Sequence, residues 1–216
     1  MNTQEARKKY YRNAAETVIK NLEKRHMKGY YAENAEEAKK LALSLMPEGS
    51  SVAWGGSMTC TDIGLIDAVK TGNYDVIDRM EAGRDRKSEA YKNIYGRITT
   101  CDFFLMGTNA ITLDGELVNV DGTGNRVAFL CFGPENVIVV AGMNKLVKTR
   151  EEAIDRARNV AAPINTVRLE RRTPCTVTGK CEDCCSPDCI CDQIVVTRLS
   201  KDGRIKVILV GEELGF

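Results

Sequence analysis

Four short runs, Ser51-Val52-Ala53-Trp54, Tyr74-Asp75-Val76-Ile77, Phe103-Phe104-Leu105-Met106 and Val137-Ile138-Val139-Val140-Ala141, are apolar almost without interruption. A strand with one wet face alternates apolar and polar residues. Unbroken runs therefore require burial on both faces, as in a parallel sheet covered by helices. The intervening segments supply those helices. Residues up to about Met27 carry one apolar stripe, Ala14, Ala15, Val18, Ile19 and Leu22, which predicts an outer helix laid on the body of the protein. Asn34 predicts an N-cap for a helix with Ala35, Ala38, Leu41, Ala42, Leu45 and Met46 at helical spacing, ended by Pro47 and Gly49. Tyr91, Ile94, Tyr95 and Ile98 share one helical face. Thr149-Arg150-Glu151-Glu152 is a capping box opening a helix with Ile154, Ala157, Val160 and Ala161 turned inward. The alternation predicts an α/β fold, an open and mostly parallel sheet flanked by helices.

Two β-hairpins are expected beside this pattern. Ile111 to Leu113 and Leu117 to Val120 flank Asp114-Gly115-Glu116, and Ile194 to Leu199 and Ile205 to Val210 flank Ser200 to Arg204. With no repeat, low-complexity stretch or linker, residues 1–216 read as one domain, with an N-terminal helical segment over 1–33 and a Cys-rich loop over 174–192.

The 31 Lys and Arg residues nearly balance 30 Asp and Glu, a net charge of +1, so no global field favours nucleic acid or anionic lipid. The first ten residues carry Glu5, Arg7, Lys8 and Lys9 and lack the apolar core of a signal peptide, and no apolar run approaches the roughly 18 residues needed to span a bilayer, which predicts a cytoplasmic protein without a membrane partner. In that reducing compartment the nine Cys read as metal ligands or buried apolar groups; Cys60, Cys101 and Cys131 are expected in the core. His26 is the one histidine, at the end of the basic first helix, so catalysis through a histidine dyad or triad is excluded. Neither a Walker loop nor a dinucleotide-binding glycine fingerprint is present.

Three strand runs end in similar loops: Gly55-Gly56-Ser57-Met58-Thr59, Gly107-Thr108-Asn109-Ala110 and Gly142-Met143-Asn144-Lys145. In an open α/β sheet these would share one edge, beside the crevice where such folds hold ligands. Gly56, Ser57, Thr108, Asn109, Asn144 and Lys145 are thus candidate ligand-binding residues. Asn119 to Arg126 leads from a strand into a short helix beginning at Arg126, so Gly124 and Asn125 would offer backbone amides, and Arg126 a fixed charge, to a phosphate or carboxylate. Asp121 and Glu116 are the candidate acid–base or nucleophilic groups. In the Cys-rich loop, Cys181 and Cys184 form a C-x-x-C pair bracketed by Cys175 and Cys191. This is a four-thiolate set suited to zinc or an iron–sulfur cluster, with Cys185 and Cys189 spare.

The stretch from Gly107 to Ala128, containing Asp114-Gly115-Glu116 and Asp121-Gly122-Thr123-Gly124-Asn125-Arg126, continues through Gly133-Pro134 and Val139-Val140-Ala141-Gly142-Met143-Asn144-Lys145. It resembles the LUD domain (DUF162) of lactate-utilization proteins, and the Cys stretch is similar to the tail of that family's stand-alone members. The resemblance covers most of the chain from about Asn34. It implies a fold related to ribose-5-phosphate isomerase, glucosamine-6-phosphate deaminase and CoA transferases. It also implies a link to lactate oxidation, where a LUD protein works beside iron–sulfur oxidoreductase subunits. Three functions stand open: a component of lactate or related organic-acid metabolism that binds a small anionic metabolite; an autonomous isomerase- or transferase-like enzyme acting on a phosphorylated or CoA-linked substrate; and a metal-dependent interaction module for an iron–sulfur redox partner. Oligomerisation is compatible with each.

Overall fold

A computed structural model describes residues 1–83, 85–201 and 203–216. In chain order the elements are α1 (Thr3–Lys24), β1 (Lys28–Ala32), α2 (Ala35–Ser44), β2 (Ser51–Trp54), α3 (Met58–Asp62), α4 (Leu65–Thr71), β3 (Asp75–Ile77), α5 (Glu89–Thr99), β4 (Phe103–Gly107), β5 (Ala110–Thr112) and β6 (Leu117–Asp121). There follow α6 (Asn125–Cys131), β7 (Asn136–Gly142), β8 (Leu146–Val147), α7 (Arg150–Arg156), α8 (Ala162–Arg168), α9 (Pro174–Thr178), β9 (Gln193–Thr197) and β10 (Ile205–Val210). A π-helical turn, Ala157–Ala161, joins α7 to α8.

Six strands form a central sheet in the order β1-β10-β7-β4-β2-β3, with every neighbouring pair parallel. Their side chains alternate between two buried layers, which explains the unbroken apolar runs. Ala53, Phe104, Met106, Val137 and Val139 meet α1, α5 and α6 on one face. Val52, Trp54, Phe103, Leu105, Ile138 and Val140 meet α2, α3 and α4 on the other. The expected N-cap of α2 forms, Asn34 accepting the Glu37 N–H at 3.0 Å, and Thr149 accepts the Glu152 N–H at 3.2 Å to start α7.

A second sheet, β8-β5-β6-β9, stands beside the first. The expected hairpin of β5 and β6 is there, antiparallel through Ala110↔Val118 and Ile111↔Leu117. The second expected hairpin is not. β9 pairs antiparallel with β6, while β10 runs parallel between β1 and β7 in the central sheet. A strand with five apolar residues in six gains more by burial on both faces there than a two-stranded ribbon could offer. Asp202, at the tip of that supposed hairpin, lies outside the described residues. β1 was not anticipated, because Lys28-Gly29-Tyr30-Tyr31-Ala32 is an edge strand without an apolar run. Cys60 and Cys101 are buried as expected, but Cys131, at the end of α6, is exposed. Val160 also faces outward, 42 % exposed, because the π-helical turn shifts the helical register of the inward stripe. Among the described residues no helix is long and apolar enough to cross a membrane.

Candidate functional site

The chain runs from β2 outward to β3 and then returns to the opposite side of β2 to form β4. Its connecting helices, α3 and α4 after β2 and α5 after β3, lie on opposite faces. The carboxyl ends of β2 and β4 therefore flank the point where strand order reverses, the crevice where open α/β sheets hold ligands. A cleft of about 570 Å³ opens there, within the usual range for small-molecule sites. All three loops expected at this edge reach it: Gly55 to Thr59 after β2, Gly107 to Asn109 after β4 and Lys145 after β7. Asn144 does not line the cleft. Its side chain holds the C-terminal segment, accepting the Leu214 N–H at 3.1 Å and donating to Gly215 O at 3.4 Å.

Several candidate side chains serve the walls. Thr108 donates to Ala110 O at 2.9 Å, and Asn109 Oδ1 accepts the Val120 N–H at 3.0 Å. Ser57 caps α3 by accepting the Cys60 N–H at 3.2 Å. Arg126 lies part-buried in the floor of the cleft. Its Nη1 donates to Gly107 O at 3.1 Å and Asn119 Oδ1 at 2.6 Å, its Nη2 to Asn109 Oδ1 at 3.0 Å and Val120 O at 2.7 Å, and its Nε lies 3.7 Å from Asp121 Oδ2. With five N–H groups in total, the guanidinium is committed to protein acceptors. It reaches them past Gly55, where a Cβ would stand 2.9 Å from Arg126 Cγ.

The amino end of α6 carries Asp121 beside it. Asp121 Oδ1 accepts the N–H groups of Thr123 at 3.1 Å and Gly124 at 2.9 Å, so of the two amides expected to face an anion, that of Gly124 is bonded to this carboxylate. Asn125 stays at the cleft wall, its Oδ1 accepting the Thr123 hydroxyl at 2.5 Å. Glu116 is not brought to the cleft. It is buried in an ion pair, Arg150 Nε and Nη2 donating to its two oxygens at 2.8 and 2.7 Å, with Arg25 at 3.4 Å.

Lys145 is different. It is 4 % exposed, its Nζ donates to Thr59 Oγ1 at 2.9 Å, and no carboxylate lies within ion-pair distance among the described residues. Burial, with Arg156 and Arg126 adding like charge, pushes its ammonium down to about 8. Sequence reading missed Arg79, which follows β3, and Asn165, Arg168 and Arg171 at the end of α8 and beyond. Arg79 was legible in principle, since a parallel strand ending at Ile77 places it on the same edge as Gly55. Among the described residues the cleft lining thus carries five cationic side chains, Arg79, Arg126, Lys145, Arg168 and Arg171, against one acidic side chain, Asp121, although the whole chain is nearly neutral.

The Cys-rich loop packs against this cleft. Cys175, Cys181, Cys184 and Cys191, joined by Cys189, line one cavity of about 130 Å³, while Cys185 is exposed outside it. No three His, Cys, Asp or Glu side chains among the described residues converge closely enough to ligate a single ion. The thiols ring a space instead. Thr173 and Thr166 hydroxyls lie 3.2 and 3.5 Å from Cys175 Sγ, and the Cys191 N–H donates to Cys189 Sγ at 3.4 Å. Asn159 accepts the Cys181 N–H at 2.9 Å, and Arg158 pairs with Asp183. Ala162 and Ile190 line both the thiol cavity and the cleft. Ile190 approaches because Gly122 has no side chain; a Cβ there would stand 2.8 Å from Ile190 Cα. Gly122→Val is therefore expected to lift the loop and speed reaction of its thiols with a disulfide reagent, with little change in the unfolding midpoint. An unchanged labelling rate would show that the loop is not seated on Gly122.

Compared with solved structures, the chain is similar to a DUF162 family protein from Deinococcus radiodurans, with a TM-score of 0.54 at 13 % identity, covering 93 % of this chain and 98 % of that one. It also matches eIF2B beta from Chaetomium thermophilum, with a TM-score of 0.37 at 14 % identity, over 55 % of this chain and 44 % of that one. No curated protein matches it by sequence. The family model of the LUD domain matches residues 15–210. That span takes in the central sheet, the cleft and the Cys-rich loop, and the chain belongs to the LUD-domain family.

Proposed function

We infer that the cleft binds a small organic anion, a carboxylate or a phosphorylated metabolite, in the service of lactate or related organic-acid use. The observation that carries this reading is Lys145, a buried ammonium at the cleft with a hydroxyl for a partner and, among the described residues, no carboxylate within ion-pair distance. Burying a charge is costly unless something opposite in sign offsets it. An anion at the cleft would do so, and Arg79, Arg168 and Arg171 would add to the local positive potential. Membership of the LUD-domain family supports the metabolic setting.

Thermal shift against lactate, pyruvate, inorganic phosphate, ribose 5-phosphate and acetyl-CoA tests the reading, followed by titration of any compound that stabilises the protein. Lys145→Met keeps the apolar stem and removes the charge, and should weaken binding about 10- to 100-fold, the range for a hydrogen bond to a charged group. The pH dependence follows from the same group. An anion favours the protonated amine, so affinity should be full below pH 8 and fall as pH rises through about 8. If no compound stabilises the wild type, or if Lys145→Met responds equally, the reading fails.

A second reading has its own support. An amine lowered to about 8 is a usable nucleophile near neutrality, which suits an autonomous enzyme acting on a carbonyl substrate. Borohydride would then trap a carbonyl compound on Lys145, seen as a mass increase absent from Lys145→Met.

A further inference from the structure

We propose that the thiol-lined cavity beneath Ile190 is the site of an iron–sulfur cluster held by four of its five cysteines, and not of a single zinc ion. Three observations carry this. First, the two metals require different spacing. Zinc bonds thiolate sulfur at about 2.3 Å in a tetrahedron, which brings all four sulfurs to within roughly 4 Å of one another. No set of three thiols among the described residues converges in that way. A cluster has inorganic sulfide and several irons between its ligands, so its thiolates stand around a volume. Here five thiols surround about 130 Å³.

Second, the surroundings suit a group of net negative charge. The Thr173 hydroxyl lies 3.2 Å from Cys175 Sγ, a backbone N–H points to Cys189 Sγ, and Arg158 lines the cavity. Donors and a cation around the sulfurs are what stabilise and tune such clusters. Third, the loop is secured at both sides of the cavity, by Asn159 accepting the Cys181 N–H and by Asp188 accepting the Arg172 N–H at 3.0 Å. The thiols are thereby held around the space by bonds that do not depend on a metal. On assembly, each ligating thiol loses its proton to solvent and its sulfur donates an electron pair to iron.

The cavity also shares Ala162 and Ile190 with the cleft, so a cluster here would lie one layer of side chains from anything bound there. The cluster assignment does not depend on the anion reading, and the two fail separately.

The test uses the full chain, purified without oxygen and also reconstituted anaerobically with ferric iron, sulfide and dithiothreitol, with zinc offered in parallel. Iron and acid-labile sulfide should be bound in equal amounts, with broad visible absorption and a paramagnetic signal in one of the two redox states. Cys181→Ser/Cys184→Ser leaves three thiols in the cavity, too few for four ligands, and should lose the cluster. Cys185→Ser, whose thiol lies outside, should keep it. The proposal is overturned if the wild type takes zinc in place of iron, binds iron without sulfide or binds neither. It is also overturned if the double variant retains a full cluster, or if Cys185→Ser loses it to the same extent. The wild-type iron and sulfide content decides the matter even if a variant fails to fold.

Discussion

Replacing Arg126 with Ala is expected to destabilise the protein by about 3–5 kcal/mol, the range for removing one partner from a buried charged network. The side chain joins Gly107 at the end of β4, Asn119 and Val120 of β6, and Asn109 in the loop between the sheets. Its removal takes a donor from four acceptors and the counter-charge from Asp121, although Asn109 Oδ1 keeps the Val120 N–H and Asp121 keeps the N–H groups of Thr123 and Gly124. It also leaves a void against Gly55 and Phe104. The measurement is the urea unfolding midpoint at constant slope. Arg79→Ala, which removes a cleft cation with no ion pair among the described residues, serves as the control and should change stability by no more than about 0.5 kcal/mol. If Arg126→Ala unfolds within about 1 kcal/mol of wild type, Arg126 does not brace the two sheets and its donors are free for a ligand.

Glu116→Gln is the second large effect, expected at about 2–3 kcal/mol near neutrality, the upper part of the range for hydrogen bonds to a charged group. The figure stays below that for Arg126 because Arg150 is 47 % exposed and partly screened. The hydrogen bonds from Arg150, with further attraction from Arg25 and Arg198, hold the Glu116 carboxyl below the ordinary carboxylate value, against the opposing effect of burial. A carboxylate lowered in the folded state contributes stability above its unfolded value and loses it as pH falls through the folded one. The gap between wild type and Glu116→Gln should therefore be full near neutral pH and close in acid, below about pH 4. A gap that persists unchanged at pH 3 would show that the amide disturbs packing and that the charge is not what matters. The pair fastens the end of α1 and the β5–β6 turn to α7, which explains a buried glutamate outside the cleft without assigning it a chemical role.

The parallel sheet and the edge that carries the cleft were legible in the chain. Val52, Phe104 and Val139 belong to runs that only a doubly covered strand explains, and parallel strands necessarily send Gly55, Gly107 and Gly142 to one edge. Lys145 was legible for the same reason, because it lies three residues past such a strand. The five clustered cysteines of the cavity were legible as a group, since their shared loop keeps them together whatever the rest of the chain does.

What only the tertiary structure decided involves partners far apart in sequence. Two apolar runs around a turn look alike whether they pair with each other or not, and the free places beside β6 and between β1 and β7 sent β9 and β10 to different sheets. Arg126 and Asp121 carry the same charges in the sequence as in the fold. Their hydrogen-bond partners depended on Asn109, Asn119 and the amides of Thr123 and Gly124 closing around them. Lys145 is left without an ion pair among the described residues because Thr59 brought a hydroxyl within reach and no carboxylate came within ion-pair distance. Local sequence sets propensity and period. Whether a buried charge is already satisfied is fixed only when distant segments meet, and on that point the candidate site turned.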